Sequence, residues 1–168
     1  KHLGAQKVSA SINMGLDLEV IYKGLESEGM LQRTDSYLQI LDLSLADLIA
    51  QLSGDFSVCV LPPRVGMAED RFLVEVGLKG EEVVDMAIQK LVDMGMARPE
   101  GKRYVALNKY SLEATPTTLI ITNDTEIFDG DNGEPNPKMV EMTSQNAVYF
   151  YLDMARVPTA LLTQYASY

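Results

Sequence analysis

The chain has 168 residues, of which 46% are hydrophobic and 23% charged, and its formal net charge is −10. This composition is typical of a folded soluble domain that is long enough to bury its own core, and it argues against a disordered chain. The acidic balance argues against nucleic acid and anionic membranes as partners, because both are negatively charged. We therefore treat residues 1–168 as one domain.

The chain contains a single cysteine, Cys59, so it cannot form an intrachain disulfide or a thiolate metal cluster. It begins with Lys1 rather than Met, so we expect a processed or trimmed fragment of a longer protein. No apolar run approaches the roughly 18 residues that are needed to span a bilayer. We therefore expect membrane attachment only through a lipid anchor outside this fragment.

The first elements are a strand and two helical segments. Apolar and polar residues alternate over residues 7–14, which predicts a half-buried strand. A helical stripe of apolar residues follows, and it predicts a helix over residues 16–29 that Asp17 can cap. A short helical turn is expected over residues 37–41, after Asp35.

A second helix is predicted over residues 44–53. Ser44 and Asp47 form a variant of the capping box, in which Asp replaces the usual Glu. Gly54 is expected to end this helix, because glycine adopts positive φ without strain. Alternation over residues 55–61 then predicts a strand, which stops at a pair of prolines.

The middle of the chain has the clearest pattern. Residues 71–79 are predicted to form a strand, and an amphipathic helix should follow over residues 81–94. A turn at Pro99 and Gly101 should lead into a strand over residues 102–108. The apolar side chains expected on the buried face of the first strand are Phe72, Val74, Val76 and Leu78.

The last third of the chain changes in character. Residues 117–122 are rich in β-branched residues and apolar on both faces, which predicts a central strand. Residues 123–137 are acidic and contain several glycines and prolines, so they should form a surface loop. An aromatic-rich strand is predicted over residues 146–154, and Pro158 favours a terminal helix.

Together these elements predict an α+β fold. The sheet should be largely antiparallel or mixed, with the helices packed on one face and a β-α-β-β unit in the middle. If strands 71–79 and 102–108 are parallel, their crossover should be right-handed.

Nucleophilic catalysis has little support in the sequence. A catalytic nucleophile needs a neighbouring base, and the only histidine is His2, in a terminal segment. Cys59 lies in the middle of a predicted strand, so we interpret it as a packed thiol. A hydrolase that uses paired carboxylates remains open, because the chain has 24 acidic residues that sequence alone cannot pair.

One local cluster has the ligand chemistry of a Ca²⁺ site. Asp129, Asp131 and Glu134 alternate on a glycine-containing turn, and such oxygen ligands suit Ca²⁺. The cluster departs from the helix–loop–helix calcium loop, since Glu134 replaces the glycine at the sixth position and Val140 replaces the final Glu. A solvated acidic turn is the preferred interpretation, and Ca²⁺ is the alternative.

The aromatic strand is the other candidate site. Tyr149 and Tyr151 should share one face of the strand, and Phe150 should lie on the other. They form a candidate binding surface, although aromatic residues at this spacing are usually core or cross-strand cover. We expect function in this strand or in the acidic loop, rather than within residues 71–124.

The order of elements resembles a known family. A Gly-Asp pair precedes the strand FSVCVLP, and the segments FLVEVGLK, KRYVALN and LIITND follow in order. Over residues 36–125 this is similar to an uncharacterised family of Bacteroidetes cell-envelope lipoproteins. The resemblance implies an exported, lipid-anchored protein, and it specifies no catalytic residue.

The function that we favour from sequence is a non-enzymatic cell-envelope or surface module that binds a protein, a peptide or a glycan. The alternatives are a hydrolase with paired carboxylates and a calcium-stabilised binding module.

Overall fold

The computed structural model describes residues 8–66, 68–129 and 147–153. Within them, eight strands form one sheet in the order β4-β5-β6-β7-β3-β2-β1-β8, and every neighbouring pair is antiparallel. The predicted α+β class with a largely antiparallel sheet is confirmed. The strands are β1 (Ala10–Gly15), β2 (Leu52–Leu61), β3 (Arg71–Leu78), β4 (Ala97–Glu100), β5 (Arg103–Ala106), β6 (Tyr110–Thr115), β7 (Thr118–Thr122) and β8 (Val148–Leu152).

The helices of the described residues are short, and none of them is long and apolar enough to cross a membrane. A single 3-10 turn, Gln39–Leu41, directly follows the second helix. The α-helices are α1 (Leu18–Ser27), α2 (Leu31–Leu38), α3 (Leu45–Gln51), α4 (Glu82–Asp93) and α5 (Glu126–Asp129).

The caps predicted for α1 and α3 are present. The Asp17 side chain accepts a hydrogen bond from the Val20 N–H at 3.1 Å. At α3, Ser44 Oγ accepts from the Asp47 N–H at 3.1 Å, and the Asp47 carboxylate accepts from the Ser44 N–H at 2.9 Å. Each bond satisfies an N–H group that a helix start leaves without an intrahelical partner.

The segment before α3 is more helical than predicted. Instead of a short turn after Asp35, helix α2 already begins at Leu31. Thr34 and Asp35, which precede the predicted turn, both form hydrogen bonds within the helical layer. Thr34 Oγ1 donates to the Met30 carbonyl at 3.1 Å, and the Asp35 carboxylate accepts from the Leu45 N–H at 2.7 Å.

One face of the sheet, which we call the helix face, is covered at one end by α4. The amphipathic stripe of α4 places Val84 and Ile88 in a buried cluster with Leu78 of β3. This is the packing that the predicted helical periodicity requires. Partly buried residues complete the cluster: Leu52, Tyr104, Ala114 and Leu119.

The other face, which we call the opposite face, has a separate core. Its most buried side chain from outside the sheet is Ile127, which is fully buried although it belongs to the segment predicted as a surface loop. The prediction of a surface loop is therefore wrong for the start of residues 123–137, which forms helix α5. The burial of Ile127 stabilises the fold, because an apolar side chain is removed from water. The cluster consists of Val8, Cys59, Leu61, Leu73, Ile120 and Ile127.

Strand β3 differs from its predicted burial pattern. Leu73 is only 1% exposed and lies on the opposite face, whereas Phe72, Val74 and Val76 are only half-buried. Leu78 is buried as predicted. Both faces of this strand carry apolar residues. The alternating pattern of the sequence therefore did not show that the face with Leu73 is the one that α5 covers.

Two strands were missed by the sequence analysis. Residues predicted as a turn around Pro99 form β4, which tolerates proline because it is the last strand of the sheet and needs few donors. Strand β6 was missed because two of its consecutive residues, Ser111 and Leu112, are both buried, so polar and apolar residues do not alternate there. Three antiparallel pairings separate β5 from β3, so these two strands are antiparallel and the condition for a right-handed crossover between residues 71–79 and 102–108 is not met.

Gly54 has a different role from the predicted one. Helix α3 ends at Gln51, and Gly54 lies inside β2 with φ of 96°. The register between β2 and β3 shifts between Leu52 and Phe56, so the extra residues form a bulge. A Cβ at Gly54 would lie 2.3 Å from the Leu16 carbonyl oxygen, so only glycine fits there.

Candidate binding groove

A concave site of about 700 Å³ lies beside this bulge. Cavities of this size are typical of small-molecule sites, which span about 300–1,000 Å³. Side chains from β1, β2, β3 and β7 line it, on the opposite face of the sheet and away from the core under α5. We call it the polar groove, after the polar side chains that line it: Asn13, Ser53, Asp55, Ser57, Glu75 and Thr118.

Gly77 makes room for the bulge at the end of the groove. A Cβ on Gly77 would lie 2.1 Å from Ser53 Oγ and 2.9 Å from Asp55 Cβ. Both distances are too short for real atoms, so a side chain at this position would displace the bulge. A glycine in the middle of a strand often marks such a close approach.

The bulge also holds a carboxylate in place. Ser53 Oγ donates a hydrogen bond to Asp55 Oδ2 at 2.8 Å. The Asp55 N–H in turn donates to Ser53 Oγ at 3.2 Å. This local ring of hydrogen bonds is characteristic of turns that contain Ser and Asp, and it orients the Asp55 side chain.

Glu75 supplies the second carboxylate of the groove. It lies in the middle of β3, opposite Ser57 of β2 and Ile120 of β7. It is half-buried, and among the described residues none forms a hydrogen bond or an ion pair with its carboxylate. A partly desolvated carboxylate without a partner is a hydrogen-bond acceptor available to a ligand.

The two carboxylates lie on the same face of the sheet. Asp55 packs above Gly77, which is two residues from Glu75 along β3. Residues two apart on a strand are about 7 Å apart, so the two side chains begin at about that separation. No lysine or arginine is among the described residues that line the groove.

Cys59 lies deeper in the sheet than the groove and is 2% exposed. Burial is the main cause that raises the pKa of its thiol to about 11, and the charge of Glu75 also raises it. Ser57 Oγ lies 3.8 Å from Cys59 Sγ and has a smaller, opposing effect on this pKa. The thiol is therefore protonated at neutral pH, and the thiolate form that acts as a nucleophile is scarce.

The predicted tyrosine surface lies next to the groove. Tyr149 pairs with Asn13 and Tyr151 with Ser11, so the two tyrosines share one face of the strand, which is the opposite face of the sheet, and both are half-buried. Phe150 lies on the helix face and is 63% exposed. A binding role for the tyrosines stays a prediction. Tyr149 lies beside Asn13, which lines the groove.

The predicted calcium cluster falls at the limit of the described residues. Asp129 ends α5, and its side chain, Asp131 and Glu134 lie outside the described part. Within the described part, no group of three or more His, Cys, Asp or Glu residues could hold a metal ion. The calcium hypothesis therefore stays a prediction.

Sequence reasoning missed the groove, although two signals for it were visible. Glu75 interrupts an otherwise apolar strand, and Gly77 follows it two residues later. A charged residue and a glycine on one face of a central strand indicate an open, polar space above that face. Function was expected outside residues 71–124, yet this candidate site takes Glu75, Gly77 and Thr118 from inside that range.

Comparison with known proteins finds no matching family model, no matching curated protein and no matching solved structure.

Proposed function

We propose that this protein is a non-enzymatic binding module that holds a neutral, hydroxyl-rich ligand, a glycan, in the polar groove. The observation that carries the proposal is the half-buried carboxylate of Glu75, which faces a cavity of about 700 Å³ without a protein partner among the described residues. An ionised carboxylate forms stronger hydrogen bonds than a neutral acceptor, so Glu75 can bind a donor group of a ligand in the groove.

The mixture of lining groups favours sugar hydroxyls. Asn13 offers a carbonyl and an amide, and the hydroxyls of Ser53, Ser57 and Thr118 both donate and accept. Glu75 adds a strong acceptor. Sugar hydroxyls also donate and accept, so each of them can find a complement among these groups.

The negative charge of the groove argues against anionic ligands. The groove carries two carboxylates and no cationic side chain among its described lining residues, and the chain carries a net charge of −10. Phosphates, nucleic acids and acidic sugars would be repelled. A neutral glycan avoids this repulsion.

Tyr149 can extend the site at its β8 side. It lies directly across from Asn13 on the same face. A tyrosine ring offers an apolar surface for the C–H face of a sugar, together with a hydroxyl at its rim. This gives the predicted tyrosine surface a specific place in the proposal.

The test is a titration of the protein with neutral oligosaccharides, followed by NMR chemical shifts, with an acidic oligosaccharide as the comparison. We expect shifts at Asn13, Ser57 and Glu75 with neutral glycans only. Glu75→Gln keeps the shape of the site but removes the charged acceptor, and should weaken binding about tenfold or more.

The matched control is Glu100→Gln, on the exposed strand β4 and far along the sheet order from the groove. It should leave affinity unchanged. The proposal fails if no neutral glycan shifts the groove residues, or if the two variants bind alike.

Asp55 and Glu75 also keep a second function open, hydrolysis of a glycosidic bond by paired carboxylates. Such enzymes carry two carboxyl groups across the scissile bond, about 5–10 Å apart. Incubation with the same oligosaccharides and detection of new reducing ends separates the two functions. Binding without new reducing ends supports the binding module, and products that disappear in Glu75→Gln support the hydrolase.

A location in the cell envelope belongs to the same proposal. It rests on the resemblance over residues 36–125, which implies an exported and lipid-anchored protein. Surface labelling of intact cells that express the full precursor would test it, and labelling only after cell lysis would contradict it.

A further inference from the structure

Strand β8 is the last strand of the sheet in the part of the chain that the structure describes. It pairs with β1 on one side, and no strand of the described residues pairs with its other side. The Asp153 N–H donates to the Ser9 carbonyl at 2.8 Å, and the Gly15 N–H donates to the Ala147 carbonyl at 2.6 Å. Hydrogen-bonding direction alternates along an antiparallel strand, so Val148, Phe150 and Leu152 turn their backbone N–H and C=O groups outward.

The two terminal strands of the sheet differ in how well they are protected. Strand β4 contains Arg98, Pro99 and Glu100, and charges and proline are the usual devices that prevent edge pairing. Strand β8 has the sequence VYFYL, with no charge and no proline. Its side chains Val148 and Phe150 are 57% and 63% exposed.

We propose that β8 is a dimer interface, at which a second copy of this chain adds its own β8 antiparallel to the first. The strand is symmetric in residue type about Phe150, with tyrosines next to it and aliphatic residues at both ends. A two-fold axis at Phe150 therefore places tyrosine opposite tyrosine and aliphatic opposite aliphatic. Such an interface is self-complementary and needs no second surface.

The same symmetry explains why a second copy fits better than an unrelated strand. The outward backbone groups of Val148, Phe150 and Leu152 meet the same groups of the second copy in register. The exposed Phe150 rings come side by side on the helix face, and aromatic cross-strand pairs stabilise a sheet. Each copy thereby covers apolar area that is exposed in the single chain.

The size and charge of the interface set its strength. A strand of five residues buries less than the roughly 800 Å² per partner of a standard interface, so the dimer should depend on concentration. Each chain carries a net charge of −10, so the copies repel each other at long range. Salt screens this repulsion, and should therefore strengthen the dimer.

The contrast between the edges also predicts a closed dimer. Open filaments would require β8 of one copy to pair with β4 of the next, and β4 is protected by Pro99 and its charged neighbours. Pairing of β8 with β8 uses this edge of both copies, and the described strands at the ends of the joint sheet are then the two protected β4 strands.

Sedimentation velocity of the 168-residue chain between about 5 and 500 µM tests the proposal, since association driven by one short interface falls in a weak range. We expect a monomer–dimer equilibrium that shifts towards dimer with added salt. Phe150→Pro removes a backbone N–H that points away from β1, so no hydrogen bond to β1 is lost. The variant should therefore abolish the dimer and keep the circular dichroism spectrum of the native fold. A wild-type chain that stays monomeric throughout, or a dimer that survives in Phe150→Pro, would overturn the proposal.

A cross-link gives a second test that does not depend on the proline variant. In the proposed register the two Phe150 Cα atoms lie about 5.5 Å apart, within the roughly 4.4–6.8 Å that a disulfide spans. Phe150→Cys should form a disulfide-linked dimer on mild oxidation, while Glu100→Cys on β4 should stay largely monomeric. Cys59 is only 2% exposed and should not compete. Equal cross-linking of the two variants would contradict the interface.

Discussion

At the scale of single residues, Gly77 shows how one missing side chain creates the groove. Its position in the middle of β3 leaves space for Ser53 and Asp55 of the neighbouring bulge. The sequence shows a glycine within a strand pattern, which indicates a close approach but not the atoms that approach. Only the register shift between β2 and β3 identifies those atoms.

We expect Gly77→Ala to destabilise the protein by about 1–3 kcal/mol, the usual cost of forcing extra atoms into a packed site. The added Cβ would lie 2.9 Å from Asp55 Cβ, so the bulge must move. The free energy of unfolding in urea, followed by circular dichroism, measures this cost.

Gly24→Ala is the matched control. Gly24 lies inside α1, and a Cβ there would have no neighbour within 4 Å. Alanine is the better helix former, so this variant should gain about 0.5–1 kcal/mol. Equal losses in the two variants would show that Gly77 has no special packing role.

At the scale of elements, the start of α3 is a feature that sequence predicted well. Ser44 and Asp47 are three residues apart, and the structure contains both hydrogen bonds of the capping box. The bonds depend only on residues that are close in sequence, so no tertiary information is needed to foresee them. Ser44 Oγ also donates to the Asp47 carboxylate at 2.6 Å, and this bond is the largest cause that holds the pKa of the Asp47 carboxyl below its usual value, followed by the bond from the Ser44 N–H.

We expect Ser44→Ala to lower the free energy of unfolding by about 1 kcal/mol, the typical cost of losing an N-cap. Ser36→Ala is the control, because Ser36 donates only to the Arg33 carbonyl within α2 and is exposed. Urea unfolding of both variants gives the comparison, and a loss no larger in Ser44→Ala than in Ser36→Ala would contradict the capping role.

At the same scale, the ends of α3 and the limits of β4 and β6 were not predictable. The sequence indicates that a helix stops near Gly54, but a stop at Gln51 followed by a bulged strand uses the same glycine. Short strands such as β4 also depend on their partners, since four residues have too little pattern to identify a strand.

At the scale of the whole molecule, an ion pair joins segments that are far apart in sequence. Arg71 donates to Asp124 Oδ2 at 2.9 Å and to the Pro62 carbonyl at 2.8 Å, and both ion-paired side chains are buried. Arg64 also lies 3.1 Å from the Asp124 carboxylate. Asp124 further accepts from the Glu126 N–H at 3.2 Å, so it fixes the start of α5 to the sheet.

We expect Asp124→Ala to destabilise the protein by about 3–5 kcal/mol, because it leaves the Arg71 charge buried and unpaired. The double variant Arg71→Met with Asp124→Leu should recover most of this loss, since two apolar groups need no partner. Urea unfolding of the single and double variants measures the coupling. Additive losses would show that the two residues do not act as a pair.

Glu69→Gln is the control for this ion pair. Glu69 is paired with Lys109 at 2.8 Å on an exposed surface, where water screens the attraction. It should unfold at the same urea concentration as the wild type within error.

The sequence alone determined the features that depend on residues close in sequence. These are the α+β class, the caps of α1 and α3, the order of most strands and helices, and the placement of Tyr149 and Tyr151 on the same face of their strand. These follow from periodicity and from hydrogen bonds that span three or four residues. Only the tertiary structure decided that Ser53, Asp55 and Glu75 meet in one groove, that α5 covers part of the opposite face, and that β8 is the last strand of the sheet among the described residues. Those outcomes depend on strand register and on contacts between residues more than fifty positions apart, as in Arg71 with Asp124, and no local pattern encodes them.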